Sequence, residues 1–184
     1  MATKKCAKEL LCVTMDSPVG ELLIGADQQG IRLINFQEGN YPLSFNVRPK
    51  AAVAPVLDEA RRQLDEYFAR RRETFDLPLV PEGTPFQLEV WKALLTIPYG
   101  QTVSYGKQAR GIGRPNAARA VGAANGRNPI AIVVPCHRVV GSGGQLTGFG
   151  GGLANKARLL DFEKGQLRFD TLEPCEETTI AGAV

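Results

Sequence analysis

Three short β-favouring runs open the chain, Leu10 to Met15, Glu21 to Gly25 and Gly30 to Phe36. Ser17-Pro18-Val19-Gly20 and Asp27-Gln28-Gln29-Gly30 lie between them as turns, so the pattern predicts a small antiparallel meander. The spacing then becomes helical. Leu57, Ala60, Leu64 and Tyr67-Phe68 recur with charges between them, which predicts a helix packed on that sheet. Arg70 to Arg72 close it, where cations favour the helix dipole. Pro78, Pro81, Gly83 and Pro85 mark a linker. Beyond it Thr84 can cap a helix with a core stripe of Phe86, Val90 and Leu94, flanked by Trp91. Ser104 to Arg110 and Asn116 to Asn125 read as two short helices around Gly111-Ile112-Gly113-Arg114-Pro115, with Asn116 as cap, and so as a helix-turn-helix. The apolar run Ile130 to Val134 reads as a buried strand surfacing into a Gly-rich loop, Gly141 to Gly152. A last helix from Ala154 to Glu163 presents Leu153, Ala157, Leu160 and Phe162 to a core. The pattern gives an α/β chain in three parts. Residues 1–80 form a sheet-and-helix domain, 84–165 a mostly helical one, and 166–184 an acidic tail expected to be disordered.

Composition narrows the class of protein. The 184 residues carry four scattered cysteines, no basic-then-apolar leader and no apolar run approaching the roughly 18 residues of a membrane span, so a soluble cytoplasmic protein without membrane partners is expected. Charge is uneven. Residues 1–83 hold eleven Lys and Arg against twelve Asp and Glu, residues 84–165 ten against three, and the tail is acidic. A basic middle section suits a polyanion such as nucleic acid, and equally a solvated basic face.

The chemistry concentrates at Pro135-Cys136-His137-Arg138, which sets a thiol beside the only histidine of the chain. A thiolate is the reactive form and needs nearby cations or a base, for which His137 and Arg138 are the local candidates. Neighbouring side chains of an extended segment diverge, so a bridging water is the expected link between Cys136 and His137. A carboxylate should orient the imidazole. Glu163 is the candidate, with Glu89 and Asp161 open on sequence alone. A buried structural thiol and a cysteine hydrolase remain alternatives. Other signatures fail: Gly100 to Lys107 has one residue too many for a phosphate loop, Ser104-x-x-Lys107 lacks its companion motif, and one histidine cannot readily complete a zinc site. No cofactor is expected.

The sequence Pro135-Cys136-His137-Arg138-Val139-Val140, preceded by Asn128-Pro129-Ile130, resembles the active-site signature of O6-methylguanine-DNA methyltransferases. The resemblance runs through Gly83-Thr84-Pro85-Phe86, Val90-Trp91-Lys92, Ile97-Pro98-Tyr99-Gly100, Ser104-Tyr105, Ala117-Ala118-Arg119-Ala120-Val121-Gly122 and Gly151-Gly152-Leu153; residues 9 to 80 match in general layout. It implies a ribonuclease-H-like N-terminal domain and a winged-helix-like C-terminal one. It implies a monomer that binds duplex DNA through the minor groove, flips out O6-alkylguanine or O4-alkylthymine, and moves the alkyl group irreversibly to its own cysteine, without a cofactor. Cys136 becomes the acceptor, His137 its water-linked base, Glu163 the partner of His137, and Asn128 the brace of the turn. Tyr105 would serve the departing base. Arg119 would fill the vacated space on a helix approaching DNA through Ala118, Ala120 and Gly122, while Val139, Phe149 and Gly150 would form the base pocket. Phe149 and Gly150 stand where relatives often carry Tyr and Ser or Ala. Some relatives hold zinc in the N-terminal domain; this chain has no histidine there, and none is expected. A non-catalytic group carries Trp in place of the cysteine, which Cys136 argues against.

Overall fold

The computed structural model describes residues 10–37 and 54–167; Cys6, Cys175 and the tail beyond Leu167 lie outside them. Strands β1 (Leu11–Met15), β2 (Leu22–Asp27) and β3 (Gly30–Phe36) form an antiparallel sheet in that order. Alternation decides which face each side chain takes. Leu11, Met15, Leu22, Ile24, Ala26, Ile31, Ile34 and Phe36 enter the main core, while Cys12, Leu23 and Leu33 form a small cluster on the other face. Helix α1 (Ala54–Phe68) buries Leu57, Ala60, Leu64 and Tyr67 in the main core, as its spacing predicts.

The linker does more than connect. Ile31 N–H donates to Pro78 O at 2.7 Å and Val80 N–H to Ile31 O at 2.9 Å, so residues 78–80 lie along the outer edge of β3. Farther along the same edge, Ile34 N–H donates to Pro129 O and Ala131 N–H to Ile34 O, both at 2.9 Å. One strand edge therefore takes up two pieces of later chain.

The second half holds α2 (Pro85–Leu94), β4 (Val103–Ser104), α3 (Tyr105–Gly111), α4 (Ala118–Asn125), a short 3-10 turn (Cys136–Arg138), β5 (Val139–Val140) and α5 (Leu153–Glu163). Thr84 caps α2 in a capping box with Gln87, and Ser104 caps α3. The cap of α4 differs from expectation: Ala117 takes the position without a side-chain bond, and Asn116 stays outside. Trp91 does not merely flank α2. It is buried, and its indole N–H donates to Ala124 O at 2.9 Å, locking α2 to α4. Asn125 Nδ2 donates to Gln108 Oε1 at 2.8 Å and Gln108 Nε2 to Val90 O at 3.2 Å, so buried amides fix the angle of the helix-turn-helix.

Three further expectations are corrected. Ile130 to Val134 is not a strand but a succession of tight turns, because a five-residue apolar run suits a buried turn as well as a strand. On α5, Leu153 is 48% exposed, and the buried side includes Lys156 and Leu159. Arg70 closes its own helix through the backbone and not through its charge: at φ 57° its N–H donates to Tyr67 O at 3.0 Å and Arg71 N–H to Glu66 O at 2.7 Å, while its guanidinium turns away, donates through Nη2 to Phe162 O and Leu167 O, both at 2.6 Å, and lies 4.3 Å above the Phe162 ring. It caps α5 from the other half of the protein. Gln166 and Leu167, counted in the sequence with the acidic tail, remain bonded to Asp161 O at 2.8 and 3.1 Å. A single core cluster runs through both halves.

Candidate active site

Two successive tight turns deliver Cys136. Val133 N–H donates to Ala131 O at 2.8 Å across Ile132, whose φ of 69° is the rare positive form for a γ-turn and strained for a β-branched residue. Cys136 N–H then donates to Val134 O at 2.8 Å across Pro135, at φ −82° and ψ 64° an inverse γ-turn that proline readily adopts. Asn128 spans the structure from within. Its Oδ1 accepts from Ile130 N–H at 3.1 Å, and its Nδ2 donates to Val134 O at 2.7 Å and Cys136 Sγ at 3.2 Å.

The 3-10 turn places Cys136, His137 and Arg138 all inside, at 6%, 0% and 6% exposure. Glu163, at the end of α5, holds His137 and Arg138. Its Oε1 accepts from Arg138 Nη2 and lies 2.9 Å from His137 Nε2; its Oε2 accepts from Arg138 Nε at 2.9 Å and Gly100 N–H at 3.1 Å. Tyr67, from α1, adds its O–H to Oε1 at 2.8 Å. Arg138 Nη1 reaches Ile97 O at 2.7 Å, so the segment Ile97 to Gly100 receives both charged side chains. Gly100 has φ of 71°, and an added Cβ would stand 3.2 Å from Glu163 O, so glycine suits this position on both counts.

Electrostatics assign the protons. Burial would raise the Glu163 carboxyl, but the His137 bond, the charge His137 carries once protonated in acid, and the bonds and charge of Arg138 hold it down at about 2. Burial pushes the His137 imidazole below its usual range against the pull of Glu163. His137 is therefore neutral at neutral pH, and Arg138 supplies the charge facing Glu163. An ionised carboxylate only accepts, so His137 Nε2 carries the proton. Its Nδ1 is then the acceptor, and that atom is buried without a partner among the described residues. Burial also raises the Cys136 thiol, opposed by the Asn128 bond and the charge of Lys156.

Lys156, like the hydroxyl that Tyr67 brings to Glu163, was missed by sequence reasoning. It is 0% exposed, with Nζ donating to Val139 O at 2.6 Å and Thr147 O at 2.7 Å. A lysine at an inward position of α5 was its only signal, and spacing alone gave it no partners. Arg138, expected to assist the thiol, is wholly engaged by Glu163 and Ile97 O. Tyr105 begins α3 with its O–H donating to Thr147 O at 2.9 Å, and burial raises its phenol. Parallel pairing of Val103 with Val139 and Ser104 with Val140 sets the start of α3 beside the chain leaving Cys136.

Of the expected base-pocket residues, Val139 is buried and its carbonyl is occupied by Lys156, while Phe149 packs edge-on against Phe36 at 5.5 Å. Gly150 is half-buried, with room for a Cβ 3.9 Å from Gly126 O. A Cβ on neighbouring Gly151 would stand 2.4 Å from the Phe36 ring. On α4, Arg119 and Ala120 are exposed and Ala118 and Gly122 half-buried; a Cβ at Gly122 would meet the Tyr105 ring at 3.6 Å. Among the described residues no three His, Cys, Asp or Glu side chains are grouped to hold a metal ion, and no helix is long and apolar enough to cross a membrane.

Fold and site together define a class: a helix-turn-helix protein with a buried cysteine beside a histidine–glutamate pair, attached to a small α/β half. Family models for the 6-O-methylguanine DNA methyltransferase ribonuclease-like domain and DNA-binding domain match residues 10–81 and 85–165. The chain belongs to the 6-O-methylguanine DNA methyltransferase family. It is 49% identical over 150 residues to the methylated-DNA--protein-cysteine methyltransferase of Methanosarcina acetivorans, covering 80% of this chain and 94% of that protein. The Mycobacterium leprae protein of the same name is 48% identical over 157 residues, covering 85% and 93%. A crystal structure of Mycobacterium tuberculosis OGT in complex with DNA superposes with a TM-score of 0.76 at 47% identity, covering 84% of this chain and 93% of that one.

Proposed function

We propose that this protein repairs alkylated DNA by taking the alkyl group from O6 of guanine onto Cys136 Sγ. One observation carries the reading: a buried thiol, held by Asn128, shares a 3-10 turn with a histidine whose Nε2 is committed to Glu163 and whose Nδ1 is available to accept. In the reaction the Cys136 proton passes through a water to His137 Nδ1, and Sγ attacks the alkyl carbon. The carbon–oxygen bond breaks with its electron pair going to the guanine, which takes a proton from Tyr105; the proton held by His137 returns by way of solvent to restore the phenol, leaving a thioether and an unmodified guanine. Lys156, the cation that opposes burial at Cys136, favours the developing thiolate. The thioether does not hydrolyse, so each molecule acts once.

The DNA would lie across 84–165, with α4 in the minor groove and the damaged base turned out of the stack. Arg119 would occupy the gap, while Ala118, Ala120 and Gly122 would allow close approach. Val139, Phe149 and Gly150 would border the base, and O4-alkylthymine offers the same leaving chemistry. Serving the base requires Tyr105 to release Thr147 O, which Lys156 continues to hold. The protein would act as a monomer. Mass spectrometry after mixing with a duplex containing O6-methylguanine tests the reading: one methyl on Cys136 and no second turnover are expected. Lesion repair with Cys136 unmodified would overturn it.

A further inference from the structure

Glu163 is offered more hydrogen bonds than a carboxylate ordinarily takes. Its two oxygens have about four lone-pair sites. They face five donor groups: Arg138 Nε and Gly100 N–H on Oε2, and Arg138 Nη2, His137 Nε2 and Tyr67 O–H on Oε1. Tyr67 is the donor that comes from the N-terminal half. It is 0% exposed, and its ring is fixed by Phe68, Phe75, Phe162 and Tyr99 at centroid distances of 5.2, 5.5, 5.4 and 6.0 Å. A buried phenol needs an acceptor, yet the one it has is the same oxygen that faces the imidazole. We propose that Tyr67 is a positioning residue for alkyl transfer: its hydroxyl competes with His137 for Glu163 Oε1 and so limits how firmly the carboxylate holds an imidazolium.

The consequence is a weaker base that returns its proton easily, set from α1 rather than from the segment carrying the nucleophile. Arg138 and Gly100 pin the carboxylate independently, so loss of the hydroxyl leaves its orientation in place and strengthens the remaining His137 bond. The charged and titratable groups around the imidazole are Glu163 and Lys156 of α5, Arg138 and Cys136 of the 3-10 turn, Tyr67 of α1 and Tyr99 beyond α2. The proposal rests on the reading of Cys136 as alkyl acceptor and His137 as its base.

The chain has one histidine, so nitrogen-labelled histidine gives a single imidazole to follow by NMR in the full-length protein. Tyr67→Phe keeps the ring packing and should move the imidazole midpoint upward by about half to one pH unit, since it removes a donor that competes for the carboxylate. The acid limb of the alkyl-transfer rate profile should move upward with it. A single meta-fluorotyrosine at position 67, a more acidic and stronger donor, should move both downward, and it decides the matter if the Phe variant does not fold. An unchanged imidazole midpoint in the folded variants overturns the role of Tyr67 even when wild-type Cys136 is alkylated. An unalkylated wild-type Cys136 after exposure to damaged duplex overturns the alkyl-acceptor reading, and this proposal with it.

Discussion

At the scale of single residues, reactivity depends on how charge is shared among four buried side chains. Glu163 and Arg138 compensate one another through two bonds, which leaves His137 neutral and its tautomer fixed. Glu163→Gln removes the charge while keeping the size, and leaves a guanidinium buried without a counter-ion. Breaking such a pair costs about 3 to 5 kcal/mol. The variant should unfold at markedly lower denaturant, and where still folded it should methylate Cys136 more slowly, as imidazolium support is lost. A wild-type rate in single-turnover measurements would exclude Glu163 as the partner of His137. Cys136, His137 and Asn128 were legible from adjacency and resemblance; Glu163 was the candidate, with Glu89 and Asp161 open on the residues alone, until the resemblance pointed to it, and it lies 2.9 Å from His137 Nε2. Lys156 and Tyr67 were not legible. Their parts depend on carbonyls and a carboxylate far away in the chain, and no local pattern encodes such meetings.

At the scale of elements, periodicity located the three strands of the meander and the five helices well, because one face of each is buried in the same core, but not the two-residue strands β4 and β5, which are too short to show a period. It failed where the backbone departs from any period. The segment Ile130 to Val134 is apolar because it is buried, not because it is extended, and its shape comes from Ile132 at positive φ, Pro135 and the side chain of Asn128. Such strain costs on the order of 1 to 3 kcal/mol and must be held by surrounding contacts. Helix α4 is the opposite case: plain in structure, with its interest on its surface. Arg119 is exposed, so Arg119→Ala should leave stability nearly unchanged. If it stabilises the opened duplex, its loss should slow repair on duplex DNA by on the order of tenfold, a part of a flipping cost of a few kcal/mol. Reaction with free O6-methylguanine should be affected far less. Equal losses on both substrates would rule out that role.

At the scale of the whole molecule, the two family domains share one core and several inter-half contacts: Phe36 under Gly151, Tyr67 on Glu163, Arg70 on the end of α5, and β3 beside Ala131. The sequence reads as two units joined by a linker because linker composition is local, whereas the contacts that join the halves span dozens of residues. The buried charges also set how the whole responds to acid. His137 is depressed in the folded state from an ordinary value of 6.5, so below that pH the unfolded chain binds the extra proton first and stability falls. Glu163 is depressed from 4.5 to about 2, so its contribution is complete above 4.5 and is lost as pH drops toward 2. That second loss is on the order of 3 kcal/mol. Denaturant titrations from pH 7 to pH 3 should show stability declining in both windows, and Glu163→Gln should flatten the lower one.

The outer edge of β3 also gives the molecule an order of assembly. During synthesis the sheet emerges first, but the edge at Ile31 is covered only when residue 80 is available, and the edge at Ile34 only when residue 131 is. Until then β3 presents open backbone groups of the kind that pair with other chains. The segment that closes this edge is the one leading to the nucleophile. A nascent chain therefore exposes part of this edge before its thiol is in place, and a ribosome pausing between residues 80 and 131 would prolong that exposure.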